Sequence, residues 1–409
     1  SGASAANDIS GLWIRCDLER LLMKILFLDS PAFAKQDMID AFEANQITCD
    51  LFYHKDYKER HSKEFEEAFA AVLTNASYAF VFSFNYSPIL SACCQNHNIK
   101  YVSYIYDSPL VALYSYTLIN SCNYVFLFDK SVYLTFKNAG IDTVYYLPLA
   151  ANVSRLSAMV CPDALTEKLS ADVSFVGSLY NEAHNFFDRL ETISDFTRGY
   201  LDAIMHAQQN VYGSFFLEDL LTPDIIADLQ KAAPYTPMSD GTESAAYVYA
   251  NYFLCRKITA RERLSLLKQA SDRFSLKLYT HNPVPELPHA QFMGPVDWYS
   301  TMPLIFRHSR INLNISLKSI HTGIPLRCMD ILGSGGFLLT NYQEDLLDLF
   351  VPEEDFVFYE SEDDFIRKID YYLSHEKERQ QIAANALGKM AERHTFCHRV
   401  TSILQILSD

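Results

Sequence analysis

The sequence predicts an α/β chain built as two parallel-sheet domains that face one another across a cleft. Three observations lead there. The chain has 409 residues, against roughly 150 for a single domain. Two separate series of short apolar runs alternate with helical patterns, as strands joined by crossover helices do. A long helix-rich stretch interrupts the second series.

The first series opens with the run KILFL at residues 24–28, ends it at Asp29-Ser30-Pro31, and continues through a helical stretch to the run at 48–52. Further strands are expected at 78–82, 101–105, 124–128 and 143–147, with helices near 60–73, 87–96 and from Lys130. Such runs, apolar throughout and not alternating, fit strands covered on both faces. The second series starts at 172–176 and stops at Gly177-Ser178. It resumes at 275–279, 311–315, 337–340 and 355–359, after a mostly helical insertion spanning about 182–270 and broken by a loop from Ala233 to Gly241. The reading is therefore an extension over 1–22, a first Rossmann-like domain over 23–165, a second over 166–393, and a closing helix over 394–409.

Composition narrows the function. A net charge of -16 disfavours nucleic acid as a partner, since phosphate contacts need cationic surface. Nine cysteines in no zinc or disulfide spacing fit reduced thiols in a cytoplasmic protein. No apolar run reaches the length of a membrane helix, which leaves room only for peripheral membrane contact.

Open parallel sheets bind ligands beyond the carboxyl ends of their strands. In the first half those positions offer Asp29, Asn85, Tyr86 and Asp107; in the second they offer Gly177, Ser178, Thr280, His281 and the segment SLKSIHTGIP at 316–325. That segment carries Lys318, His321 and Thr322 and leads into a helix with Arg327 in its first turn. Backbone amides, a helix N-terminus and cationic side chains together suit a diphosphate. Asp330, one turn later, is placed to accept hydrogen bonds from a ribose diol. The GSGG at 333–336 follows a helix and precedes a strand, the reverse of a phosphate loop, and reads as a helix cap and tight turn. Asp107 and Asp29, each followed by Ser-Pro, also suit turns. His184, His281 and His308 also suit structural or solvent-exposed positions.

The run RCMDILGSGGFLLTN at 327–341 resembles the R-x-F-E-A-x-A-x-G-x-x-L-L-T-D segment of CgeB-like glycosyltransferases. The resemblance continues through FVGS at 175–178, GPVDWY at 294–299, SRINLN at 309–314 and HTFCHR at 394–399, with FSFNY at 82–86 and YIYDSP at 104–109 upstream. It implies a GT-B fold, with a nucleoside diphosphate-sugar donor on the second domain and a glycan, glycolipid or protein acceptor on the first, in bacterial glycan biosynthesis. Asp330 then takes the place of the ribose-binding Glu, and Arg327 that of its adjacent Arg. The donor set implied is Gly177, Ser178, Thr280, His281, Lys318, Thr322, Arg327 and Asp330. Asp107, then Asp29, are the candidate bases, His321 assists the leaving group, and Asn85 and Tyr86 face the acceptor. No cofactor and no metal are expected. Related E-x7-E transferases carry an acidic residue near His321 or Thr322, which this sequence lacks. An inactive nucleotide- or glycan-binding relative and a nucleotide-sugar epimerase are the alternatives.

Overall fold

Residues 23–182 and 185–408 are described by the structure, a computed structural model; the expected extension over 1–22, with Cys16, and His184 lie outside the described residues. The first series forms β1 (Lys24–Leu28), β2 (Thr48–Phe52), β3 (Val81–Phe84), β4 (Tyr101–Tyr104), β5 (Asn123–Leu127) and β6 (Val144–Tyr146). They make one parallel sheet in the order β2-β1-β3-β4-β5-β6. Every residue of β3 and β4 is buried, because crossover helices cover both faces of these central strands. Side-chain caps start the helices. Ser62 Oγ accepts from Phe65 N at 3.1 Å, and Ser87 precedes a helix with Pro88 at its first position.

The second series forms β7 (Ala171–Val176), β8 (Leu276–Tyr279), β9 (Gln291–Phe292), β10 (Ser309–Asn314), β11 (Leu338–Asn341) and β12 (Val357–Tyr359). Their order is β12-β11-β10-β7-β8-β9, again all parallel. The fold is thus two six-stranded α/β sheets. Two differences from the sequence expectation have local causes. β3 begins at Val81 and not at Tyr78, since the Tyr78 hydroxyl is taken by Asp50 at 2.8 Å and the chain joins the ladder only afterwards. β9 was not foreseen; at two residues, both exposed, it carries no apolar run.

Between β7 and β8 the chain leaves the sheet for helices that include Asp195–Gln209, Pro223–Ala232 and Cys255–Arg273. This insertion reaches across to the first domain. Ser115 bridges Gly241, Tyr116 N donates to Asp240 O at 2.9 Å, and Arg60 pairs with Asp240 at 3.2 Å. The GSGG ends the Leu326–Gly333 helix: Gly336 N donates to Ile331 O and Gly335 sits at φ +77°, a conformation glycine adopts without strain. After the Phe396 turn the last helix, Phe396–Ser408, lies on the first domain, where Arg399 donates to the carbonyls of Pro148 at 2.7 Å and Leu149 at 2.9 Å. Among the described residues no helix is long and apolar enough to cross a membrane.

The domains are sewn together at Asp129. Its carboxylate caps the Lys130–Asn138 helix through Ser131 N (3.0 Å) and Val132 N (3.3 Å). It also accepts from His321 N at 2.7 Å and from the Thr322 hydroxyl at 3.1 Å in the second domain. A Cβ on Gly323 would lie 2.9 Å from Asp129 Cα, so the two backbones meet with no room for a side chain. Asp129→Ala removes a cap and leaves buried amides unpaired, so urea unfolding should show a loss of about 2 to 4 kcal/mol; a loss no larger than that of a surface substitution would show that the seam contributes nothing.

Candidate active site

The strand ends of the second sheet hold two guanidinium groups. Arg327 rises from the first turn of the Leu326–Gly333 helix, and its Nε is buried with no hydrogen-bond partner. Arg263 comes from the insertion helix Cys255–Arg273 and is itself buried. It donates to Ile315 O at 3.0 Å after β10 and to Ser178 O after β7. Burial and the positive charge of Arg263 bring the Arg327 pKa down to about 10. Two like charges shielded from bulk water repel, and such a pair is stabilised by an anion between or beside them. Gly177 permits the approach: a Cβ there would lie 2.9 Å from Arg327 Nη2.

Asp330 lies one helical turn beyond Arg327 and is buried. Its Oδ2 accepts from Trp298 Nε1 at 2.9 Å. Burial, reinforced by the charge of Asp37, pushes its pKa up to about 7 against the opposing pull of Arg327 and Arg155. Asp37 is clamped by Arg155 at 2.6 and 2.8 Å, and the Arg155 guanidinium stacks 3.9 Å from the Tyr299 ring centroid. The GPVDWY segment therefore supplies an aromatic wall to this end of the cleft.

Across the cleft, Asp107 follows β4. Asn85 holds its loop: Asn85 Nδ2 donates to Asp107 Oδ2 at 2.8 Å, while Asn85 Oδ1 accepts from Tyr106 N and Asp107 N. Surrounding protein raises the Asp107 pKa, with the Asn85 hydrogen bond and the Lys58 charge acting the other way. Asp107 lines three neighbouring cavities. One is the cleft with Arg263, Arg327 and Asp330; a second lies on the first domain beside Tyr57, Lys58 and Tyr106; a third lies under the insertion beside Asp129 and Glu218. A carboxylate at such a junction can reach groups from any of them.

Not every expected residue gathers here. Lys318 faces away, paired with Glu262 at 3.4 Å and lying 4.0 Å from the Tyr212 ring centroid, so it seats the insertion helix. Thr322 and the His321 amide are bound by Asp129, and the His321 ring stacks on Phe215 at 3.9 Å. Neither lines the cleft that holds Arg327. Thr280 is buried and His281 exposed outside that cleft. Asp29 is engaged by Lys35 at 2.5 Å. Asn85 positions Asp107, and the Tyr86 hydroxyl is tied to Thr117 at 2.9 Å and Asn123 at 3.2 Å. The residues missed are Arg263, Trp298 and Asp129. Arg263 sits in a charged helical stretch that reads as solvated surface. Trp298 lay inside a quoted motif and was given no role. Asp129, straight after a strand and before a helix, carried a cap signal that could have found it.

Residues 261–405 match the model of a family described as glycosyl transferase-like. No curated protein matches the chain. Among solved structures, HepE from Anabaena in complex with UDP and glucose is similar at 12% identity, with a TM-score of 0.51, over 94% of this chain and 99% of that one. Sucrose-phosphate synthase from Thermosynechococcus elongatus is similar at 11% identity and a TM-score of 0.52, over 94% and 99%. A glycosyltransferase from Rickettsia africae is similar at 9% identity and a TM-score of 0.51, over 94% and 97%. At these identities the likeness is one of fold, and that fold is GT-B.

Proposed function

We propose that the chain is a CgeB-like glycosyltransferase that moves a sugar from a nucleoside diphosphate-sugar to a hydroxyl acceptor. The observation that carries this reading is the pair of Arg263, buried, and Arg327, half-buried with its Nε buried and unpartnered, set at the strand ends of the second sheet with Asp330 one turn away. The glycosyl transferase-like match covers both arginines and Asp330. HepE, of like fold, is described with UDP-glucose, which supports a sugar nucleotide as donor. The glycan made belongs, on this reading, to a bacterial cytoplasmic pathway; free thiols at all eight described cysteines accord with a reducing compartment.

In the mechanism, the diphosphate lies against the two guanidiniums and the ribose diol against Asp330. Asp107 removes the acceptor hydroxyl proton as that oxygen bonds to the anomeric carbon. The bond from that carbon to the diphosphate oxygen breaks, and the departing electron pair is held by Arg327 and Arg263. Fixed positive charge in a buried site stabilises a leaving anion strongly, which supports transfer without a metal. A raised pKa makes Asp107 a better base than an ordinary carboxylate. Thr322, near the acidic position of E-x7-E transferases, is bound to Asp129, so a single displacement with inversion is the outcome favoured.

Arg327→Ala should weaken binding of the cognate nucleoside diphosphate about tenfold or more and cut kcat by about 100-fold; calorimetry with unchanged affinity would remove the donor site from this cleft. Asp107→Asn should keep diphosphate affinity and lower transfer by about 100-fold or more, with inverted product seen by NMR for the wild type. Unchanged turnover would end its role as base. Burial holds the Asp330 pKa above the usual carboxylate value of 3.8, so the folded protein favours the protonated carboxyl. The cost of ionising it is absent below about pH 4 and complete above about pH 7. The Tm of Asp330→Asn relative to wild type should therefore rise between pH 4 and pH 8 in the absence of nucleotide; a difference independent of pH would contradict the assigned environment.

A further inference from the structure

Resting on the transferase reading, we propose that the acceptor is an amphiphile: its hydroxyl-bearing head meets Asp107, and an alkyl tail enters an apolar chamber inside the helical insertion. The first-domain cavity that holds Asp107 has a volume of about 540 Å3. Val111 and Tyr235 line it, and the same two residues line a second cavity of about 530 Å3 within the insertion. The two cavities adjoin at these residues, and the tail would run from the first into the second, away from the point of chemistry.

Its character changes along the way. Beside Asp107 stand Lys58 and the rings of Tyr57 and Tyr106, polar and aromatic groups that suit a sugar face. Beyond Tyr235 the wall is made of Ala232, Pro234, Val248 and Phe253, with Phe186 opposite. The polar atoms of the tyrosines there are already engaged. Tyr252 Oη accepts from Val111 N at 2.8 Å and donates to Pro109 O at 3.2 Å. Tyr235 Oη donates to Glu243, and Ala233 O accepts from the Tyr249 hydroxyl at 2.6 Å. The charged group of that wall, Arg189, lies with its guanidinium 4.7 Å from the Phe186 ring centroid.

A chamber whose tyrosine hydroxyls are already bonded, and whose one charged side chain lies against a ring, offers mostly hydrocarbon to an occupant. Sugar hydroxyls entering it would lose water and gain no partner, at a cost of about 1 to 3 kcal/mol each, whereas a methylene gains by leaving water. A glycan chain is therefore disfavoured in the chamber and an alkyl chain favoured. Apolar surface continues at the rim. Met238, which lines the Asp107 cavity, is exposed, and Tyr116, hydrogen-bonded through its amide to Asp240 two residues further on, is exposed as well.

Calorimetric titration with methyl, butyl and octyl β-glucoside, each below its micellar range, tests this on the whole chain. Each buried methylene should tighten binding by up to about fourfold, so octyl should bind about tenfold or more tighter than methyl. Ala232→Trp, which fills the chamber from a half-buried position, should abolish that preference while leaving diphosphate affinity and Tm as in the wild type. Should Ala232→Trp fail to fold, Ala232→Leu should reduce the preference in part. Equal affinities for the three glucosides in the wild type would overturn the proposal, as would an octyl preference that survives the filled chamber. Diphosphate binding is titrated separately. Its absence would remove the transferase reading, whereas its presence alongside equal glucoside affinities would remove the amphiphile alone.

Discussion

Two positive charges held side by side at the strand ends, one buried and one half-buried, are the constraint on which the cleft depends. Arg327 is fixed by the first turn of its helix, and Arg263 by carbonyls at the ends of β7 and β10. Neither is neutralised by a salt-bridged carboxylate among the described residues. Folding such a pair costs free energy that burial elsewhere must offset, and an anion recovers part of it on binding. Gly177 belongs to the same constraint, because a side chain there would collide with the Arg327 guanidinium. The loop after β7 is thus shaped by the charge it faces.

Arg263 also explains why the insertion is more than decoration. Its helix runs from the insertion's core to the strand ends, so the insertion is anchored at the end of the cleft that holds Arg327. At its other side the insertion is bonded to the first domain through Asp240, Arg60 and Tyr252. The segment His321-Thr322-Gly323, which leads to Arg327, is meanwhile closed onto Asp129. Both halves of the molecule therefore meet around the cleft by hydrogen bonds on two sides, and Asp107 stands between those seams.

Much of this was legible in the residues and some was not, for identifiable reasons. Apolar runs such as 24–28 and 101–105 mark buried parallel strands, and burial is what makes them read so clearly. That Arg327 and Asp330 stand one turn apart at a helix start was legible, because helix spacing and an N-terminal turn are local properties. Lys318 and Thr322 were misplaced because a loop's sequence does not reveal which way each side chain turns; Glu262, distant in sequence, claims one, and Asp129 claims the other. Arg263 was invisible for the converse reason. Its helix reads as charged surface, and only the tertiary packing of that helix on the strand ends buries it.

The same limit governs the acceptor side. Tyr235 and Val248 lie in an insertion whose sequence shows only helix and loop, and Val111 lies in a short turn of the first domain. None of the three carries a chemical signature alone. Together they line two adjoining cavities, one holding a carboxylate and the other walled by hydrocarbon. A GT-B core supplies two sheets and a cleft, and it leaves the acceptor's shape to whatever covers the first domain. Here the cover is the insertion, the element that also brings Arg263 to the strand ends of the second sheet. One addition to the fold thus touches both the arginine end of the cleft and the cavities beside Asp107, so a change in how it packs would be felt at both.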